Sequence, residues 1–253
     1  MLLAFVLLDT PELPTRAGIA AALGKWGFPA HFTGPPNTVL STDTTIGTLM
    51  IMHAAVPIPN GEADAAARKS VGSFRRTASW RPHVAHLMVR VATTDHPRQP
   101  TPAVMTTFTR MVAALAEMAG AVGVYWGNGR VSHEAEFFCA MAADDSFPLV
   151  LWSGVSLART STSVSILTTG LRQFALPELM VQAPGTSANA ALEYLFDLAR
   201  YLVTRGTPIP DGDTVGRTAQ ERVLVRYEAS PLNPGEKVAV VRFPGASRAG
   251  ARH

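Results

Sequence analysis

Cysteine is almost absent from this sequence, which contains a single one, Cys139, in 253 residues. One cysteine excludes an intramolecular disulfide framework and any zinc site built from several cysteines. Cys139 lies in the apolar run FFCAM, so we interpret it as a core residue and not as a nucleophile. Low cysteine content is typical of proteins of the reducing cytosol, and we expect a cytoplasmic location.

Charged residues are also scarce, at 16% of the chain, with 22 basic and 19 acidic residues scattered along it. Nucleic-acid-binding proteins gather basic residues in a patch, so we do not expect this chain to bind nucleic acid. No run reaches the ~18 apolar residues that a membrane-spanning helix needs. The apolar start, MLLAFVLLD, lacks a basic leader and stops at Asp9, which predicts a buried strand. We therefore expect no membrane association.

The sequence does contain a regular alternation of apolar strands and amphipathic helices. In the first third, Ile19, Leu23 and Trp26 recur at helical spacing after a first strand. The apolar segments on either side of Thr42–Thr45 predict a β-hairpin. The element order is β-α-β-β-α-β, which is the ferredoxin-like order. The predicted elements are strand 2–9, helix 11–27, strands 37–42 and 45–59, helix 61–74 and strand 82–93.

The remaining sequence continues the alternation, and it predicts helix 100–120, strand 121–126, helix 132–144, strands 148–160 and 163–171, helix 188–206 and strands 223–230 and 236–244. We therefore predict an α/β fold of the α+β kind, in which two ferredoxin-like halves pack together and helices cover largely antiparallel sheet. The halves are residues 1–97 and 98–244. The small, polar end of the chain, residues 245–253, is predicted to be a disordered tail.

The segment VYWGNGRVSHEAEFF, residues 124–138, predicts a strand, a glycine turn and a helix. Amides at a helix start can bind phosphate, but the dinucleotide fingerprint requires a third glycine where this chain has Ser132. We therefore interpret the glycines as a turn and Ser132 as a helix cap. The residues of this segment that we name as binding candidates are Trp126, Asn128, Arg130 and His133.

Histidines supply the candidate catalytic residues. His133 resembles the first ligand of a zinc-binding helix, but the position four residues on is Phe137, so we predict no metal site there. His53 and His86 lie in apolar strands that could be neighbours, and this pair is the best candidate for an enzymatic site. A lone histidine in such a strand is also typical of a core position. We predict neither a metal nor another cofactor.

The carboxy-terminal half resembles a known family. The segments VLWSGVSL, TTGLRQFALPELMV, LARYLVTRG and IPDGDTVG are similar, in this order, to the bacterial family called domain of unknown function 4261, best over residues 148–217. The resemblance implies a shared fold and no established activity. Only one of the residues that the resemblance gives as recurring, Glu178, is ionisable, and we favour its pairing with backbone amides or with an arginine such as Arg172 over catalysis. The recurring residues are Trp152, Thr169, Gly170, Leu171, Phe174, Pro177, Glu178 and Gly212. The family usually has glycine where this chain has Ala175.

Two functional hypotheses follow. The first is a non-enzymatic cytosolic binding protein, and in its sharpest form an immunity (antitoxin-like) protein that neutralises a cognate bacterial toxin by direct binding. The alternative is a metal-assisted hydrolase of unknown substrate that uses His53, His86 or His133 with Glu178. No complete catalytic constellation appears in the sequence, and this favours the first hypothesis.

Overall fold

The computed structural model describes residues 1–32, 39–72, 81–92, 100–144, 146–218 and 220–243. It divides the chain into two compact units, Met1–Gly154 and Val155–His253, which we call unit 1 and unit 2. The main elements of unit 1 are β1 (Leu2–Leu8), α1 (Arg16–Lys25), β2 (Leu40–Thr44), β3 (Gly47–Ala54), α2 (Glu62–Ala67), β4 (Ala85–Ala92), α3 (Pro102–Ala116), β5 (Ala121–Trp126), β6 (Val131–Glu134), α4 (Ala135–Asp144) and α5 (Leu149–Trp152).

The strands of unit 1 form a sheet in the order β2-β3-β4-β1-β5-β6, in which every neighbouring pair is antiparallel. Side chains alternate between the two faces of a strand, and the register places Val6, Leu87 and Val124 on one face. Helix α3 packs against β1 and β5, α1 packs against α3, and α4 packs against α3 and β5. Leu7 and Tyr125 point to the other face, where α2 packs against β5 and β6.

Aromatic side chains fill the space between this sheet and helices α3 and α4. The buried ring of Trp126 lies with its centroid 5.3 Å from that of Phe108 and 6.3 Å from that of Phe138. Trp152 is also buried, and its Nε1 donates a hydrogen bond to Thr109 Oγ1 at 2.7 Å. Burying a large apolar side chain contributes about 1.5–3 kcal/mol, so these rings join the sheet and the helices into one core.

The main elements of unit 2 are β7 (Gly154–Arg159), β8 (Ser163–Thr169), β9 (Leu179–Pro184), α6 (Ala188–Arg205), β10 (Thr214–Val215), β11 (Val223–Leu224), β12 (Arg226–Ala229) and β13 (Lys237–Arg242). Unit 2 is built around a second sheet in the order β12-β13-β9-β8-β7. β13 runs parallel to β9, while β12 with β13 and β8 with β9 are antiparallel pairs. Helix α6 packs against β9 and β8 and ends at Gly206, whose φ is 72°.

No helix in the described ranges is long and apolar enough to cross a membrane.

The predicted α/β (α+β) class with antiparallel sheet and covering helices is confirmed. The strand order of unit 1, however, differs from the ferredoxin-like order. In that order the first strand lies between the third and the fourth, whereas here β1 lies between β4 and β5. The physical reason is that β4 pairs along both edges, with β3 on one side and β1 on the other, and so separates β1 from β3.

The boundary between the compact units lies at Gly154/Val155 and not at the predicted 97/98. Strands β5 and β6 follow residue 98 in the chain, but they extend the first sheet because β5 pairs with β1. The predicted tail, residues 245–253, lies outside the described residues.

Two local assignments are wrong. Residues 131–134 form strand β6, in which Ser132 lies opposite Tyr125, so Ser132 is not the cap of a helix. Residues 149–152 form the short helix α5 where we predicted the beginning of a strand. Segments of four residues, such as VSHE and LVLW, fit a helix or a strand equally well, and the tertiary contacts decide between them.

Candidate functional site

An open cleft lies at the β2–β3 side of the unit 1 sheet, beside the connection between β1 and α1. Its volume is ≈ 670 Å³, and pockets that bind small molecules or side chains commonly enclose about 300–1,000 Å³. The cleft collects residues from the β1–α1 connection, from α1, from the start of β2 and from the end of β3. The lining residues are Pro11, Leu13, Ile19, Val39, Leu40, Ile51, Met52 and His53.

The cleft has a buried apolar floor and an exposed apolar rim. On the floor, Leu40 and Ile51 lie opposite each other in β2 and β3, and Ile19 of α1 is fully buried beside them. Apolar surface left in water is unfavourable by roughly 25 cal/mol per Å², so the rim favours an apolar occupant. The rim residues and their exposed fractions are Leu13 with 40%, Val39 with 42% and Met52 with 43%.

His53 is the ionisable side chain of the lining. It follows Leu49 and Ile51 at the spacing of alternate strand residues, and therefore faces the same side of the sheet as they do. Its Nε2 atom is buried and has no hydrogen-bond partner among the residues that the structure describes. Leaving a buried polar atom unpaired costs about 1–3 kcal/mol. The lining of the cleft therefore suits an apolar ligand group.

His86, the predicted catalytic partner of His53, lies on the other face of the sheet. His53 is opposite Leu87 and His86 is opposite Ala54, and residues directly opposite each other share a face. The Nδ1 atom of His86 lies 2.8 Å from Val56 O, to which it donates a hydrogen bond. Burial lowers the pKa of His86 below its usual value. The structure therefore does not bring the two histidines together on one face.

His133 has its polar atoms bound within the fold. It lies fully buried on β6, with Nδ1 2.7 Å from Ser70 Oγ and Nε2 3.2 Å from Leu151 O. The carbonyl of Leu151 can only accept, so Nε2 carries the proton and the hydroxyl of Ser70 donates to Nδ1. Burial lowers the pKa of His133 to about 4, so the ring is neutral at neutral pH. Neither nitrogen is left for a metal or a substrate.

The glycine turn between β5 and β6 is also structural. Oδ1 of Asn128 accepts from Leu3 N at 2.8 Å and Nδ2 donates to Met1 O at 3.3 Å, which prolongs the pairing of β1 with β5. A Cβ at Gly129 would collide with the carbonyl oxygen of Trp152, so only glycine fits there. Of the four binding candidates, Trp126 and His133 are buried, whereas Asn128 and Arg130 are exposed. The segment leads into a strand, so it offers no helix start to bind phosphate.

Glu178 is buried in unit 2 and holds the turn between β8 and β9. Its Oε1 accepts a hydrogen bond from Gly170 N at 2.8 Å. Its Oε2 accepts from Thr168 Oγ1 at 2.7 Å and from Leu171 N at 3.2 Å. Hydrogen bonds to an ionised carboxylate are about twice as strong as neutral ones. The geometry is therefore the pairing with backbone amides that we favoured from the sequence.

Ala175 lies in the same turn with a φ of 52°, in the left-handed region of the backbone. A residue with a Cβ is less stable there by about 1–2 kcal/mol, while glycine adopts this conformation freely. Glycine would therefore fit this turn with less backbone strain than Ala175 does.

No three His, Cys, Asp or Glu side chains are placed to hold a metal ion in the part of the chain that the structure describes. The cleft offers His53 as its ionisable group. Sequence reasoning named His53 and missed the apolar residues around it, because Leu13 and Val39 are distant from it in sequence. One available signal was the unequal length of the predicted hairpin strands, since a longer second strand leaves its end unpaired.

We expect the substitution Ala175→Gly to stabilise the protein by roughly 0.5–1 kcal/mol, because glycine relieves the left-handed backbone strain. The greater conformational entropy of glycine in the unfolded chain offsets part of this gain. Chemical denaturation measures the change. The matched control is Ala190→Gly on the exposed side of α6, where the same replacement should lower stability by about 1 kcal/mol. A loss of stability at both positions would contradict the assignment of Ala175.

We expect His53→Leu to raise the free energy of unfolding by about 1 kcal/mol, because it removes the unpaired Nε2 atom and adds apolar surface to an apolar cleft. The control is His31→Leu, since His31 is exposed. Thermal or urea unfolding measures both variants. If His53→Leu destabilises the protein, then Nε2 is satisfied in solution and the cleft is not a prepared site.

We expect acid to destabilise the protein through His133, whose pKa in the fold is about 4 against an ordinary 6.5. As the pH falls, His133 takes up its proton in the unfolded chain before it does so in the folded one. The contribution of neutral His133 to the free energy of unfolding is therefore complete above pH 6.5 and is lost as the pH falls towards 4. The difference corresponds to about 3 kcal/mol. Urea unfolding across this range should show a smaller loss for His133→Gln than for the wild type. The control His31→Gln should lose as much free energy of unfolding over this pH range as the wild type does. If the free energy of unfolding of His133→Gln falls with pH as steeply as that of the wild type, His133 is not the group responsible.

Comparison with known proteins agrees with the resemblance seen in the sequence. No curated protein and no solved structure matches the chain. Residues 167–242, a segment that contains Gly170, Ala175 and Glu178, match the model of the family described as Domain of unknown function (DUF4261).

Proposed function

We propose that this protein is a non-enzymatic binding protein of the cytosol and that the His53 cleft is its binding site. The observation that carries the proposal is the cleft itself: apolar on its floor and rim, with one buried histidine nitrogen that lacks a partner among the described residues. Such a combination of apolar lining and a single polar group is typical of binding sites.

The positions of the other candidate residues favour binding over catalysis. His133 and Glu178 use their polar atoms in hydrogen bonds within the fold. His53 and His86 face opposite sides of the sheet, whereas a metal-assisted hydrolase would need them to converge on one point. The hydrolase alternative therefore has less support than binding.

We propose that the partner is a protein, and a cognate bacterial toxin is the candidate we consider first. The rim of exposed Leu13, Val39 and Met52 resembles the apolar centre of a protein interface more than its polar border. An immunity protein neutralises its toxin by covering it and needs no reacting group of its own. The few charges and the single cysteine fit an intracellular binding role.

We expect a photo-crosslinking amino acid at Leu13 or Val39 to form a covalent adduct with one protein in cells that express the chain naturally, because both positions border the cleft. The matched control position is Leu232 in unit 2, which is 52% exposed. Gel electrophoresis and mass spectrometry identify the adduct.

Adding Leu13→Arg to the chain that carries the crosslinker at Val39 should abolish the adduct, because a charged side chain then occupies the apolar rim. An adduct that also forms from Leu232, or that survives Leu13→Arg, would contradict the cleft as the binding site. If the captured protein inhibits growth when it is expressed alone, coexpression of the wild-type chain should restore growth and Leu13→Arg should not.

A further inference from the structure

Two buried histidines hold the connection between β3 and α2, residues 55–61. His83 lies just before β4 and His86 lies within it. The Nε2 atom of His83 accepts a hydrogen bond from Ile58 N at 2.9 Å. The Nδ1 atom of His86 donates one to Val56 O at 2.8 Å. Two neighbouring side chains thus bind the backbone of the connection at two points.

The connection has few backbone donors of its own. Its sequence is AVPIPNG, and proline lacks an N–H group, so Ile58 supplies the one backbone donor of residues 57–59. The side chain of Ile58 is buried and packs in a cluster that contains Leu7 and Tyr125. The hydrogen bond to His83 therefore satisfies a donor at the point where the connection enters the core.

The directions of the two hydrogen bonds give them opposite responses to acid. A ring nitrogen that accepts carries no proton, so neutral His83 has its proton on Nδ1. Protonation places a second proton on Nε2, which then faces the N–H of Ile58 as one donor against another. The bound nitrogen of His86 is a donor in the neutral and in the charged ring alike. Acid thus breaks the bond at Ile58 and leaves the bond at Val56 intact.

Burial keeps His83 neutral in the closed connection. It lowers the pKa of His83 below the usual 6.5, although the carboxylate of Asp64, whose Oδ1 lies 4.0 Å from Nδ1, raises that pKa. Burial also lowers the pKa of His86, the bond to Val56 raises it, and His83 and His53 lower it by their charges. A proton on either ring therefore makes a proton on the other less favourable.

Other ionisable groups surround the two rings. The hydroxyl of Tyr125 donates a hydrogen bond to Glu62, and Asp9 pairs with Arg81 beside β1. The groups contributed by the packed elements are Glu62 and Asp64 from α2, His53 from β3, Arg90 from β4, Tyr125 from β5 and the Asp9–Arg81 pair. The carboxylate of Asp64 favours the charged form of His83, and burial outweighs it.

We propose that His83 is a pH-sensitive switch, which holds the β3–α2 connection closed when its ring is neutral and releases Ile58 when Nε2 is protonated. His86 keeps Val56 attached in both states, so the opening is local. The proton comes from the solvent, no covalent bond changes, and neutralisation closes the connection again. This inference does not depend on the proposed binding function.

The open form takes up the proton more readily than the closed form. In the open form His83 is in water and has its usual pKa of 6.5, whereas in the closed form its pKa is lower. The stabilisation of the closed form is therefore complete above pH 6.5 and is lost as the pH falls through the lowered pKa. Between the two pKa values the open fraction grows about tenfold for each pH unit, because opening takes up one proton.

The test is amide hydrogen exchange of the full chain, measured by NMR from about pH 7.5 to about pH 5. The protection factor compares the observed rate with that of an unfolded chain at the same pH. We expect the protection factor of the Ile58 amide to fall about tenfold per pH unit below 6.5. It should remain smaller than that of Val6, which lies in β1 between two paired strands and reports global unfolding.

Two variants separate the switch from its neighbour. His83→Gln places a carboxamide oxygen where Nε2 was, and this oxygen accepts from Ile58 N without being protonated. We expect the protection factor of Ile58 in this variant to be the same over the whole pH range. The matched control is His86→Asn, whose amide N–H donates to Val56 O and cannot titrate. It should keep the wild-type pH dependence at Ile58.

The ring tautomers provide an independent measurement. Nitrogen NMR of the wild-type chain at neutral pH should show the proton of both rings on Nδ1. A proton on Nε2 of His83 would overturn the proposal, as would a protection factor of Ile58 that does not change with pH or that changes equally in His83→Gln. If His83→Gln does not fold, the tautomer and the wild-type exchange profile decide the question without it.

Discussion

Strand β1 pairs along both of its edges, with β4 on one side and β5 on the other, and this pairing decides which side chains can meet anywhere in unit 1. The register Val6 with Leu87 and Val124 sets the face that receives α3 and α4. The same alternation sends Leu7 and Tyr125 to the α2 side and separates His53 from His86. A shift by one residue would exchange the two faces along the whole strand.

The polar side chains singled out in the sequence mostly maintain this architecture. His133 joins β6 to Ser70 and Leu151, Asn128 prolongs the β1–β5 ladder, and Glu178 closes the turn after β8 in unit 2. Buried polar atoms are normally hydrogen-bonded, so each of these arrangements is what a stable fold requires. In the described part of the chain, His53 Nε2, Ser132 Oγ and the Tyr194 hydroxyl are buried without a hydrogen-bond partner, and of these three His53 belongs to the lining of the apolar cleft. The proposed binding site rests on this coincidence.

Much of the secondary structure could be predicted from the sequence because its signals are local. The apolar run of β1, the period of α6 and the hairpin of β2 and β3 all appear where the pattern placed them. Strand order could not be predicted in this way, since pairing between β1 and β5 joins residues more than a hundred positions apart. Residues 131–134 (VSHE) and 149–152 (LVLW) were misassigned because four-residue segments are too short to show a period.

The sequence by itself determined the α+β class and the resemblance of the carboxy-terminal half to one family, because composition, periodicity and a contiguous motif are properties of the chain. It also pointed to His53. Only the tertiary structure decided that His53 faces a cleft and His86 does not, since facing depends on register between strands. The cleft collects residues from the β1–α1 connection, α1, β2 and β3, which are distant in the sequence, so no local pattern encodes it.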